Sequence, residues 1–283
     1  MGINVLSLFD GCGMAFQALK NIGVEVNNYF ACEIDKYAIQ VSMKNHPEII
    51  QLGDVKNINS NNLPKIDLLI GGSPCQGFSF AGKQLNFNDE RSKLFFEYVR
   101  IKNEVNPKFF LLENVKMKKE YQDIISDYLF TDPIEINSSL LSAQSRPRIY
   151  WFNWKAKLPE DKKILLKDIV LANVDENLKH SESALNYMNR TVSDGRTHWD
   201  FGHHSDVMKN KSSTVVANFF KGVPYNVLKD YKYIRKFHPI ECERLQTLPD
   251  NYTSGVSDTQ RYKMLGNGFT VAVIEYILKQ INL

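Results

Sequence analysis

One cysteine stands apart. Cys75 lies in Gly72-Ser73-Pro74-Cys75-Gln76-Gly77-Phe78-Ser79, just past the end of a short apolar run, Ile66–Ile70. Open α/β sheets bind ligands outside the carboxyl ends of their strands, and this is such a place. Pro74 fixes the backbone before the cysteine, while Gly71, Gly72 and Gly77 leave room around it. A free thiol with a pKa of about 8.5 is only slightly ionised at neutral pH, yet it is already a good nucleophile. The competing reading is a buried structural cysteine, the usual fate of a lone Cys. A Pro-Cys pair in a glycine-flanked polar loop argues against that.

A second constellation reads as a ligand-binding turn. Ile3–Phe9 is an apolar run that leads into Asp10-Gly11-Cys12-Gly13 and then a helical stretch, Met14–Asn21. Gly11 and Gly13 let the backbone pass close to a ligand, and the helix N-terminus offers unpaired N–H groups. The third glycine of the dinucleotide fingerprint is missing, so tight packing explains the turn equally well. Glu33, closing the strand-like run Val26–Glu33, stands where a carboxylate accepts ribose hydroxyls in such folds. Asp54, with Val55 behind it, lies between the second helical stretch and the run Ile66–Ile70 and could accept from an adenine amino group. Either acid could equally be a solvated loop residue.

Three further polar residues interrupt apolar surroundings. Glu113 follows Phe109-Phe110-Leu111-Leu112, where it is either a buried acid or the N-terminal cap of a following helix. Arg146 and Arg148 alternate before Ile149–Trp154, which also fits a strand edge solvated on one face. Asn267, between Gly266 and Gly268, fits an ordinary turn. His198, His203, His204, His238 and Cys242 match no metal-ligand spacing, so no metal is expected.

The elements that must position these residues alternate. Apolar runs at 3–9, 26–33, 66–70, 108–112 and 149–154 are separated by helical stretches at 14–21, 36–44 and 92–105. Tyr37, Ile39 and Val41 would form the apolar side of the second helix. Repeated β-then-α units define an α/β fold with a doubly wound, mostly parallel sheet. Periodicity fades between 155 and 235, where Ser212–Phe220 is the best strand candidate. It returns at His238-Pro239, and Phe269–Leu283 reads as a closing helix. The expected layout is a large domain, 1–154 with 236–283, interrupted by a small irregular domain, 155–235.

Composition narrows the class. The chain has 283 residues, 43% hydrophobic and 24% charged, ordinary for a soluble globular protein. No apolar run is long enough to cross a membrane, and the start Met1-Gly2-Ile3-Asn4-Val5 carries no secretion signal. Four dispersed cysteines fit reduced thiols in a cytoplasmic protein. Net charge is +3, and residues 155–235 carry 14 Lys/Arg against 10 Asp/Glu. That local excess fits contact with a polyanion, with Lys209, Lys211, Lys221, Lys229 and Lys232 as phosphate contacts, or a solvated surface.

Taken in order, the blocks Phe9-Asp10-Gly11-Cys12-Gly13, Pro74-Cys75-Gln76, Glu113-Asn114-Val115, Gln144-Ser145-Arg146-Pro147-Arg148, Glu243-Arg244-Leu245-Gln246 and Gly266-Asn267-Gly268 resemble the C5-cytosine DNA methyltransferase family of bacterial or phage type. They span nearly the whole chain. The resemblance implies the S-adenosylmethionine-dependent methyltransferase fold, S-adenosylmethionine as methyl donor with S-adenosylhomocysteine as product, and double-stranded DNA as substrate. It also implies base flipping, since base chemistry inside a duplex needs the base extruded. Cys75 would attack C6 of the cytosine. Glu113, protonated or sharing a proton, would hold N3 and the 4-amino group. Arg148 would hold O2, and Arg146 would support the pocket and the Cys75 loop.

For the donor, the resemblance carries over Phe9 against the adenine, Gly11, Gly13, Glu33, Ile34, Asp54, Val55, Pro74 and Asn267. Residues 155–235 become the target-recognition domain, and the stretch from Phe78 toward Arg91 becomes a loop closing over the flipped base. Asp10 and Met14 depart from the small residues frequent in the first turn, without removing a charged or nucleophilic group. A monomer is expected, with a cognate restriction endonuclease as partner. A tRNA cytosine methyltransferase and a silent DNA-binding regulator are the alternatives, and the intact Cys75, Glu113, Arg146 and Arg148 set counts against the regulator.

Overall fold

Ile3–Leu8 (β1), with every residue but Asn4 buried, sets the centre of the sheet. A strand that is apolar on both faces must be covered on both, which is the signature of parallel sheets. The computed structural model describes residues 2–73, 93–201 and 204–281. By its internal contacts the chain divides into two compact units: Met1–Ile136 with Pro147–Leu158 and Ile274–Leu283, and Asn137–Arg146 with Pro159–Val273. Residues 155–158 fall in the first unit, and 137–146 and 236–273 fall in the second.

In the first unit β1 pairs in parallel with β2 (Val26–Cys32) on one side and β4 (Leu68–Gly71) on the other, and β2 pairs with the short β3 (Ile50–Gln51). β5 (Phe109–Val115) joins β4 in parallel, and β7 (Pro147–Phe152) joins β5 antiparallel. With β6 (Ile134–Asn137) the order is 3-2-1-4-5-7-6. The sheet is doubly wound and mostly parallel. Order reverses between β1 and β4, so the carboxyl ends of those strands, where Leu8 pairs with Gly71, mark the ligand-binding crevice.

Helices α1 (Met14–Asn21), α2 (Lys36–Asn45), α3 (Lys93–Val105) and α4 (Lys119–Leu129) cover the sheet. α3 faces inward through Phe95, Tyr98, Val99 and Ile101, which join Leu6, Leu69, Leu112 and the fully buried Trp151 in one core. The Trp151 indole donates to Ser126 Oγ at 3.0 Å, so its one polar atom is satisfied. α2 turns inward only one of the three residues expected there, Val41. It buries Ala38, Val41 and Ser42, while Tyr37 and Ile39 stay partly exposed.

The second unit is mostly irregular. It holds α5 (Glu182–Met188), α6 (Pro239–Leu245), α7 (Asp258–Asn267), the start of α8 (Val271–Leu278), and the two-residue strands β8 (Ser205–Asp206), β9 (Leu228–Lys229) and β10 (Ile234–Arg235). α6 begins as its sequence predicts: Pro239 opens the helix, and Glu241 reaches back to the His238 N–H in a capping box. The closing helix is shorter than 269–283, beginning at Val271 and ending at Leu278.

The expected strand at Ser212–Phe220 does not form. Ser212 makes one bridge with Gln144, after which the Gln144 side-chain oxygen, not a neighbouring strand, takes the Val215 N–H at 2.8 Å. Ala217–Lys221 then coils into a 3₁₀ turn. Among the described residues no helix is long and apolar enough to cross a membrane.

Candidate active site

The first-turn residues gather at the carboxyl end of the sheet. Phe9 leaves β1 at φ 59°, a left-handed conformation that a bulky residue rarely adopts, and Gly11 and Gly13 follow at φ 64° and 80°. A Cβ on Gly11 would meet nothing within 4 Å, so conformation and not crowding selects glycine there, and the turn stays open. The Gly11 N–H donates to Glu33 Oε2 at 2.8 Å, and Glu33 Oε1 accepts from Ile34 and Asp35 N–H groups. One carboxylate thus pins the ends of β1 and β2 together.

Ile34, beside it, is 75% exposed, a large apolar side chain left uncovered at the mouth of the turn. Asp54 Oδ1 accepts from Lys56 N–H at 3.0 Å. Val55 puts its side chain into the core, so it can offer a ligand only its main chain.

Three carboxylates converge here. Burial, and after it the charges of Asp10, Asp54 and Glu33, push the Cys32 thiol up. Asp10 is itself buried, donated to by Tyr29 Oη at 2.6 Å, and burial raises its carboxyl from 3.8 to about 6. Open glycine backbone, fixed carboxylates and an exposed apolar side chain fit a ligand with ribose hydroxyls, a flat ring and positive charge, as S-adenosylmethionine has.

The second cluster sits on β5 and β7. β5 runs three residues further than the apolar run alone indicates, so Glu113 is a strand residue. The cap alternative is excluded, since the next helix starts only at Lys119. In register Glu113 faces Tyr150 and Val115 faces Arg148, which places Glu113 and Arg148 diagonally on one face. Arg148 Nε lies 3.0 Å from Glu113 Oε1, with both side chains about one-tenth exposed, so neither is a solvated edge residue. Next to Glu113, the Asn114 amide donates to Ser73 Oγ at 3.2 Å. Ser73 is the last described residue before Pro74 and Cys75, and those two, with the expected lid from Phe78 toward Arg91, lie outside the described residues.

Arg146 is not a solvated strand-edge residue. It is 2% exposed, and its guanidinium donates to the main-chain carbonyls of Val215 (2.7 Å), Gly266 (3.0 Å) and Gly268 (2.9 Å). It clasps the chain on both sides of Asn267, which closes α7 and does not form a free turn. Two buried glutamines join the same knot. Gln144 Nε2 donates to Leu245 O and to Gln246 Oε1, and Gln246 Nε2 donates to Leu265 O at 2.6 Å. Both stand in the sequence blocks that carry the resemblance, and nothing in their type or spacing announces that they tie those blocks together.

Lys211 is not a phosphate contact. Its Nζ donates to the carbonyls of Ser139 (2.6 Å), Ser142 (3.0 Å) and Ile164 (2.8 Å). Among the described residues, which leave out His203, no three His, Cys, Asp or Glu side chains come together to hold a metal.

An open sheet of order 3-2-1-4-5-7-6, with its glycine turn and acids at the crevice, is the fold of S-adenosylmethionine-dependent methyltransferases. It superimposes on the Entamoeba histolytica methyltransferase EhMeth with a TM-score of 0.80, covering 99% of this chain and 97% of that one at 18% identity. The family model for C-5 cytosine-specific DNA methylases matches residues 3–194 and 154–283, so the chain belongs to that family and is a DNA (cytosine-5)-methyltransferase. It is similar to the Type II methyltransferase M1.ScrFI of Lactococcus lactis subsp. cremoris, 33% identical over 91% of this chain and 72% of the relative. It is also similar to M.NlaX of Neisseria lactamica, 30% identical over 98% and 95%.

Proposed function

We propose that this enzyme methylates a flipped cytosine within a short target in duplex DNA through a covalent adduct between Cys75 and C6. The observation that carries this is the Glu113–Arg148 pair on β5 and β7, beside the Ser73–Asn114 bond from which the chain runs on to Cys75. Cytosine C5 is a poor nucleophile. Addition of the Cys75 thiolate at C6 makes C5 enamine-like, and the charge that builds on the ring must be met. Arg148 turns from Glu113 to O2 of the base, which frees the Glu113 carboxyl to share a proton at N3 and hold the 4-amino group. After C5 has taken the sulfonium methyl, a base or water removes the C5 proton and the Cys75 sulfur departs as its thiolate.

The methyl donor supplies an electrophilic sulfonium methyl. Glu33 holds its ribose hydroxyls, Asp54 its adenine amine, and Phe9 and Ile34 the flat ring, with Gly11, Gly13, Val55 and Pro74 giving backbone and Asn267 as a further donor contact. Arg146 acts as a positioning residue for the chain around Asn267. Residues 155–235 serve as the target-recognition region. Relatives named Type II methyltransferases support a restriction–modification setting. We take the enzyme as monomeric and cytoplasmic, with a cognate endonuclease as its counterpart.

Labelled methyl donor, supplied with duplex DNA and separately with tRNA, tests the reading, with bisulfite sequencing to map the product. Cys75→Ala should abolish label in duplex DNA and leave donor binding intact. Near-normal transfer by that variant would overturn the covalent route, and label confined to tRNA would overturn the substrate.

A further inference from the structure

Residues 191–197 make a tight turn that projects an arginine. Thr191 and Thr197 form an antiparallel bridge, Val192 N–H donates to Arg196 O at 2.8 Å, and Gly195 at φ 83° lets the chain reverse. Ser193, Asp194, Gly195 and Arg196 are all exposed at its tip. Asp200 secures the return by accepting from both the N–H and the hydroxyl of Thr197.

Arg196 is held on two sides. Asp194 Oδ2 accepts from Nε at 2.9 Å and from Nη2 at 2.6 Å, and the guanidinium lies 4.5 Å from the centre of the Phe201 ring. An exposed ion pair within one turn contributes almost nothing to stability, while fixing a long side chain costs rotamer entropy. Folding therefore gives no reason to hold this arginine still. The surroundings do. Phe201 continues into His198, which stacks on Tyr187 at 4.3 Å, and Arg190 lies beyond Tyr187. This half-exposed ladder of rings ends in a cation on both sides, the composition of a nucleic-acid surface.

Asp194 occupies the Nε–Nη2 edge. The Nη1–Nη2 edge points away from it, and Nη1 has no partner among the described residues. That edge carries two parallel N–H donors, which match the O6 and N7 acceptors of guanine in the major groove.

We propose that Arg196, buttressed by Asp194 and Phe201, is a base-reading residue that selects a guanine in the target sequence. This rests on the DNA-methylating reading above. A phosphate would take the same edge, but it carries no sequence information, so the two contacts differ in what they do to specificity.

The test is the bisulfite profile of unmethylated duplex DNA treated with the wild-type enzyme, Arg196→Lys, Arg196→Ala and Asp194→Asn. The wild-type profile should require guanine at one position. Both Arg196 variants should relax that preference by about 5- to 150-fold, the discrimination of one bidentate contact. Arg196→Lys keeps the charge and loses the fork, so it should fail nearly as fully as the alanine. Asp194→Asn should relax the same position to a smaller extent.

An unchanged profile, or weakening that is uniform across sequences, overturns the inference and leaves the activity standing. Absence of cytosine methylation by the wild-type chain overturns that activity and the inference with it.

Discussion

The backbone of Gly266 in α7 lies directly against that of Ala217. A Cβ built on Gly266 would sit 2.1 Å from Ala217 N and 2.2 Å from Val216 C. The atoms in the way are main chain, so no side chain can rotate aside. The same contact explains why Arg146 reaches Val215 O and Gly266 O at once. Gly266→Ala should lower stability by about 3 kcal/mol, the upper end of overpacking costs. Urea unfolding checks this, and an unchanged midpoint would mean that the two backbones are not in contact.

Asp10 and His46 pull the stability profile in opposite directions across one pH window. Burial raises Asp10 from 3.8 to about 6 and lowers His46 from 6.5 to about 4. A raised acid contributes stability that is complete below pH 3.8 and is lost as pH climbs through 6. A depressed histidine contributes stability that is complete above pH 6.5 and is lost as pH falls through 4. Between pH 4 and 6 the two slopes largely cancel. Asp10→Asn should remove one of them, leaving a variant whose stability rises more steeply with pH. Relative to wild type, the gain between pH 4 and 7.5 should be on the order of 3 kcal/mol. Thermal or urea unfolding at the two pH values reads this out, and parallel profiles would contradict it.

What the sequence made legible was local. Ile3–Leu8 ending at a glycine turn, and Pro239 opening α6, are signals carried by neighbouring residues. α4 was legible too, with Tyr121, Ile124, Ile125, Tyr128 and Leu129 at helical spacing. α7 is harder, because it buries Arg261 and Gly266 among its apolar residues and ends in Gly-Asn-Gly, which reads as a turn. The clasp that Arg146 makes on Val215, Gly266 and Gly268 was not legible, since these acceptors lie 69 to 122 residues away. The run Ser212–Phe220 has strand composition, but a glutamine side chain from elsewhere takes the N–H that a neighbouring strand would need. Composition reports what a segment prefers, and such distant partners decide what it becomes.

Lys211 and the exposed lysines of the second unit should separate cleanly by experiment. Lys211 spends its ammonium on three main-chain carbonyls, whereas Lys209 and Lys221 are exposed. Lys211→Met should destabilise by about 3 kcal/mol, since three carbonyls lose a charged donor, and should leave the salt dependence of DNA binding unchanged. For each of Lys209 and Lys221 that touches a phosphate, alanine should lower the slope of log K against log salt by about 0.9 with little effect on stability. A changed salt slope in Lys211→Met would contradict the internal role.

The Glu113–Arg148 pair can be asked whether it exists for the fold or for the base. Both side chains are nearly enclosed, so removing one partner strands a charge that water cannot solvate well. Glu113→Gln and Arg148→Met should each lose roughly 3 kcal/mol of stability, and the double variant should lose less than the two together, because neither charge is then left unpaired. Turnover should behave differently. Glu113→Gln should cut methyl transfer by about 10²- to 10⁴-fold, the range for a positioned proton donor, and adding Arg148→Met should restore none of it. Stability that recovers while activity does not identifies groups that pair with each other only until the cytosine arrives. Recovery of both would make the pair purely structural and remove Glu113 from the chemistry.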